Sequence, residues 1–164
     1  MSARRICSLM LLAAAAAAPM IRAQAAKPKT FTVRVFDGRT GTKVVPDNIQ
    51  VRINHQSTAP VEWVKLADDG SAVITLPASA TVLSVHATYD NGIEYYVNCD
   101  VARQRDNSQD TWYPLADVLT QGLAIPNECG RAHSASDLKI EVKPGEFVLL
   151  VRRHNFRDRA EEIR

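Results

Sequence analysis

From Thr30 onward an apolar residue returns at every second position in a series of short runs, and this alternation constrains the fold more than any other feature of the chain. Successive side chains of an extended backbone point to opposite faces, so a period of two marks strands that bury one face. Residues 30–37 set Phe31, Val33 and Val35 on one side. Residues 48–54 set Ile49, Val51 and Ile53 on one side, with Gln50 and Arg52 opposite. Residues 61–67, 71–76, 81–89 and 94–100 continue the series, and 146–153 adds a last strand with Phe147, Leu149 and Val151 inward.

The breaks between these runs carry hairpin chemistry. Asp37-Gly38 with Thr40-Gly41, Asp68-Asp69-Gly70 and Asn91-Gly92 supply residues that accept positive φ or cap their own turn. The expected fold is therefore all-β, an antiparallel seven-strand β-sandwich, because short strands without intervening helices do not build a parallel sheet. One short helix is expected near 114–121. Pro114 suits its first position, Leu115, Val118 and Leu119 form its apolar stripe, and Gly122 ends it. A second short helix is expected over 155–164, with Phe156, Ala160 and Ile163 on one face.

The first 25 residues have the organisation of an export signal. Arg4 and Arg5 precede an apolar run from Leu9 to Ala18, and Ala23-Gln24-Ala25 offers a small-x-small cleavage pattern. Ten residues are too few to span a bilayer, which takes about 20, so cleavage after Ala25 is expected rather than anchoring. No later stretch is apolar for long enough to cross. The mature chain, 26–164, then reads as a single secreted or periplasmic domain. Loss of Arg4, Arg5 and Arg22 takes the 20 Lys and Arg to 17, against 18 Asp and Glu. A surface so close to neutrality has no field to hold a polyanion, which argues against nucleic acid as a partner.

Two cysteines remain after cleavage, Cys99 and Cys129. In an oxidising compartment, with no CxxC and no adjacent histidine, the expected state is one structural disulfide, which stabilises a loop of this length by about 3–4 kcal/mol. It is expected to staple the helix and the loop after it to the sheet.

The runs VRVFDGRTGTKVVPDNIQVRI, ADDGSAVITLP and TVLSVHATY resemble carboxypeptidase regulatory-like domains of the transthyretin-like, or prealbumin-like, β-sandwich group. The resemblance spans about residues 30–100. YPLADVL, PNECG and KPGEFVLLVRR are similar to the ends of small secreted bacterial proteins of unknown role. It implies a sandwich and an accessory role in display or binding, and brings no catalytic motif. Hydroxyisourate hydrolases of the same group end in Tyr-Arg-Gly-Ser, whereas this sequence ends Glu161-Glu162-Ile163-Arg164.

Chemistry-bearing residues are dispersed. His55, His86, His133 and His154 show no metal-ligand spacing, so no metal and no cofactor is expected. Asp68 and Asp69 read as a turn, no serine sits in a GxSxG elbow, and Arg152, Arg153, Arg157 and Arg159 read as a solvated basic end. The expected function is thus a non-catalytic module for protein or glycan interaction. Trp63, Tyr96, Trp112 and Tyr113 are the aromatics with which it would stack on a glycan, and an open sheet edge is a further route to a protein partner. The alternative is a small enzyme whose site assembles from separated His and Tyr residues, such as an iron site drawing on the histidines with Tyr89, Tyr95, Tyr96 and Tyr113.

Overall fold

A computed structural model describes residues 27–56, 62–88, 96–100 and 111–153. The chain order is β1 (Lys29–Asp37), β2 (Asn48–Ile53), β3 (Glu62–Val64), β4 (Ser71–Leu76), β5 (Val82–Thr88), β6 (Tyr96–Asn98), β7 (Tyr113–Pro114), α1 (Leu115–Thr120), β8 (Leu123–Ala124) and β9 (Glu146–Arg153). These strands form two sheets. One has the order β4-β1-β9-β6, with β8 also on β9; the other has the order β3-β2-β5-β7. Their facing sides meet in one core that includes Val33, Val35, Ile49, Val51, Ile74, Leu83, Val85, Phe147 and Leu149, which is the face the alternation selects.

The all-β sandwich agrees with the sequence, but the expected seven strands become a five-stranded and a four-stranded sheet among the described residues. The additional strands, β7 and β8, are two residues long and too short to show any period. The purely antiparallel expectation also fails. β1 pairs with β9 in parallel, Val33 opposite Phe147 and Val35 opposite Leu149, and β8 pairs with β9 in parallel. A parallel neighbour needs a long crossover, and here everything between β1 and β9 supplies it. The expected export signal, the expected turn at Asn91-Gly92 and the helix expected over 155–164 lie outside the described residues.

β9 is buried on both sides: Phe147, Val148, Leu149, Leu150 and Val151 all have 0% exposure. Its inner face meets the second sheet. Its outer face, with that of β1, is covered by the 125–142 connection, where Ile125, Ala135 and Ile140 are buried. Leu138 lies against Gly41, and Arg34 on β1 donates to the Glu141 carbonyl while pairing with Glu146 at 2.8 Å. This cover also explains Phe36, buried at 5% although it lies on the outward side of β1.

α1 starts one residue later than expected. Pro114 is its extended N-cap (φ −63°, ψ 121°), and the Leu115 N–H reaches the Thr81 carbonyl at 2.9 Å. Leu115 and Val118 are buried, and the helix stops at Gly122, whose φ of +78° suits glycine. Space demands glycine there as well: a Cβ would stand 2.2 Å from the Lys143 carbonyl oxygen.

Candidate functional site: the outer edge of β4

Cys99 and Cys129 stand at disulfide distance, Sγ–Sγ 2.07 Å and Cα–Cα 5.1 Å, with Cys99 fully buried. Cys99 follows β6 and donates its N–H to the Leu150 carbonyl at 2.8 Å; the Glu128 N–H returns to the Cys99 carbonyl at 2.8 Å. Gly38 passes directly over the bridge. A Cβ on it would lie 2.4 Å from Cys99 Sγ, 2.7 Å from Asn127 Oδ1 and 3.2 Å from Cys129 Cβ. Asn127 is buried at 1%, donates Nδ2 to the Gly38 carbonyl at 2.7 Å and accepts the Cys129 N–H at 3.2 Å. The pair therefore locks the 127–130 segment onto the ends of β1 and β9. It does not staple α1, which is held by its own buried Leu115 and Val118 and by the Gly145 N–H on the Val118 carbonyl.

The four aromatics do not share a strand. Trp63 stands on β3 opposite Gln50 in the ladder, and Tyr96 on β6 opposite Arg153. The Trp112 ring lies 4.5 Å from that of His55, tilted 46°. Tyr113 faces inward: its ring meets Phe147 edge-on at 5.5 Å, and its hydroxyl donates to Asp100 Oδ2. Burial, then the Asp100 carboxylate, pushes the Tyr113 phenol well above its ordinary range. Tyr113 is thus a packing residue paired with Asp100, a partnership across a separation of 13 residues that no local motif signals.

Among the described residues no three His, Cys, Asp or Glu side chains come together as a metal site would require. His133 is exposed, with its backbone N–H on Asp137; His154, Tyr89 and Tyr95 lie outside the described residues. Sequence reasoning missed one pair, Ser84 Oγ with His86 Nε2 at 3.1 Å, two residues apart on one face of β5. Ser84 has the neighbour a nucleophile needs, but at 1% exposure a substrate has no access to its oxygen.

The margin of the five-stranded sheet differs in kind. β4 is its six-residue edge, SAVITL, pairing among the described residues with β1 alone, whereas β3, β6 and β7 have three residues or fewer. It carries no charge, proline or glycine, the usual protections of an exposed edge. The two exposed large hydrophobics among the described residues are both here. Val73 on β4 is 66% exposed, and Val45, 48% exposed, lies over Gly70 just before β4.

The direction of the free backbone groups follows from β1. Thr32 donates its N–H to the Gly145 carbonyl on the β9 side at 2.8 Å, whereas the Val35 carbonyl accepts from Val44 and the Asp37 N–H donates to Thr42 on the other side. Direction alternates along a strand, so Phe31 and Val33 turn toward β4 and bond Ile74 and Ala72, their partners in the register. Val73 and Thr75, opposite Thr32 and Thr30, turn their N–H and C=O groups outward. The open stretch is bounded at both ends. The Ser71 N–H donates to Asp69 Oδ1 at 3.0 Å and its carbonyl accepts from Ala67 at 2.8 Å. Pro77 has no N–H, and its carbonyl accepts from Ala80 at 3.0 Å. The Ser71 hydroxyl and N–H hold the Asp69 carboxyl below its ordinary pKa.

No protein family, curated protein or solved structure matches the chain. The molecule is thus placed by its architecture: an all-β two-sheet sandwich with a buried cysteine pair and, among the described residues, one long open edge and no helix long and apolar enough to cross a membrane.

Proposed function

We propose that the protein is a non-catalytic secreted or periplasmic binding module that takes up an extended polypeptide segment along β4 by strand addition. The observation that carries this reading is the bounded pair Val73 and Thr75, whose four backbone groups point away from the sheet beside a valine side chain left 66% exposed. A strand laid on that edge gains main-chain hydrogen bonds, and the exposed Val73 adds apolar contact with a β-branched or aliphatic residue opposite it. The cysteine pair at disulfide distance supports an oxidising compartment. Stacking on a glycan is the weaker reading, because Tyr113 packs on Phe147 and its hydroxyl is engaged by Asp100.

The test is a photo-cross-linking residue at position 73 of the full chain, expressed with its own leader and irradiated in the envelope fraction. The expected result is a polypeptide adduct, identified by mass spectrometry, that disappears with Thr75→Pro. Proline is tolerated at an outward-facing edge position and removes an N–H that the incoming strand needs. Absence of any polypeptide adduct at position 73 would count against strand addition.

A further inference from the structure

Resting on the reading of β4 as a docking edge, we infer that the strand it receives is β4 of a second copy of this chain, antiparallel across a two-fold axis through Ile74. In antiparallel pairing the residue numbers of opposed partners have a constant sum, and residues sharing a face have equal parity. Each free edge offers the N–H and C=O of Val73 and Thr75 and no others between the satisfied Ser71 and the turn at Pro77. One self-register uses all of them: Val73 opposite Thr75 of the second copy, and Thr75 opposite its Val73, with Ile74 on the axis.

The same register sets Ser71 against Pro77. Ser71 already has both backbone groups bonded, and Pro77 has no N–H to leave exposed. A register centred on Val73 is worse, since it sets the outward groups of Thr75 against those of Ser71, which are occupied. Side chains agree with the choice. On the outer face the exposed Val73 meets the β-branched Thr75, a favourable cross-strand pair, and the strand carries no charge to repel its copy. The contact is isologous, so two chains close it and no unpaired β4 edge remains to propagate. A six-residue edge falls short of the ~1,200 Å² at which standard stable interfaces begin, so monomer and dimer exchange.

Sedimentation velocity on the purified exported protein, as a concentration series up to about 1 mM, tests the inference, together with hydrogen exchange read at Val73 and Thr75. Expected are a reversible monomer–dimer equilibrium and protection of these two amides that rises with concentration. Thr75→Pro removes two of the four bonds. Val73→Lys brings two lysines into diagonal proximity and is expected to weaken the dimer at least about tenfold, and because position 73 is exposed, this variant keeps the monomer fold.

A chain that stays monomeric throughout, or a dimer indifferent to both substitutions, overturns the inference. If the chain is monomeric yet position 73 cross-links to a different polypeptide, the second copy is refuted and strand addition stands. If neither association occurs, both fail.

Discussion

Replacing Gly38 with alanine isolates the close approach of β1 to the cysteine pair. Gly38 is not in the left-handed region, so its backbone accepts alanine and any cost comes from space. The new methyl would lie 2.4 Å from Cys99 Sγ and 2.7 Å from Asn127 Oδ1. Neither neighbour moves freely: the sulfur is tied to Cys129, and the amide bridges the Gly38 carbonyl and the Cys129 N–H. Overpacking of this kind costs about 1–3 kcal/mol, and displacing the buried Asn127 adds roughly 1–3 kcal/mol for the hydrogen bonds it loses. We expect Gly38→Ala to lower stability by about 2–6 kcal/mol, a fall in Tm on the order of 5–20 °C. Chemical denaturation in a double-mutant cycle with Cys99→Ala/Cys129→Ala measures the coupling. Removing the sulfur clears the shortest contact, so the alanine is expected to cost at least ~1 kcal/mol less in that background. Equal cost in both backgrounds would refute the argument that the bridge is what demands glycine at position 38.

Peptide mapping without reductant is expected to find Cys99 linked to Cys129, and Cys99→Ser/Cys129→Ser to cost about 3–4 kcal/mol while keeping the β-sheet circular dichroism; two free thiols in exported protein would reject the link. Reduction is expected to raise exchange first over 127–130, with the amides of α1 staying protected. The raised Tyr113 phenol makes stability depend on alkaline pH: its contribution is complete below the unfolded-state value of about 10 and declines as pH rises from there toward the folded-state value. Tyr113→Phe is expected to flatten that alkaline decline in thermal melts and to cost about 1.5–3 kcal/mol near neutral pH, because it strips the hydrogen bond from Asp100. The lowered Asp69 pKa contributes stability above the ordinary carboxylate range that is lost as pH falls through the folded-state value; Ser71→Ala is expected to raise the Asp69 pKa in a carboxyl NMR titration. The intact mass of exported protein is expected to begin at Ala26, and a membrane-bound product retaining residues 1–25 would refute cleavage.

Much of the inward face was legible because side-chain direction along a strand is local: Val33 and Val35, Ile49 and Val51, and Leu83 and Val85 alternate inward wherever the strand pairs. The caps of Asp37 and Asp69 and the positive φ of Gly41, Gly70 and Gly122 were legible for the same reason, since a cap or a positive φ is decided within a few residues. In β9 the alternation marked only Phe147, Leu149 and Val151 as inward; Val148 and Leu150 are buried as well because the 125–142 connection covers the outer face, which no local pattern states. Which strands become neighbours depends on burying apolar faces across the whole chain, so the parallel pairing of β1 with β9 carried no local signature. Nor did the contact of Tyr113 with Asp100 or the need for glycine over the cysteine pair. The β4 edge shows both levels at once. Its uncharged SAVITL pattern is written in the sequence, but only the pairing of β4 with β1 decided that it is a margin and turned the backbone groups of Val73 and Thr75 outward.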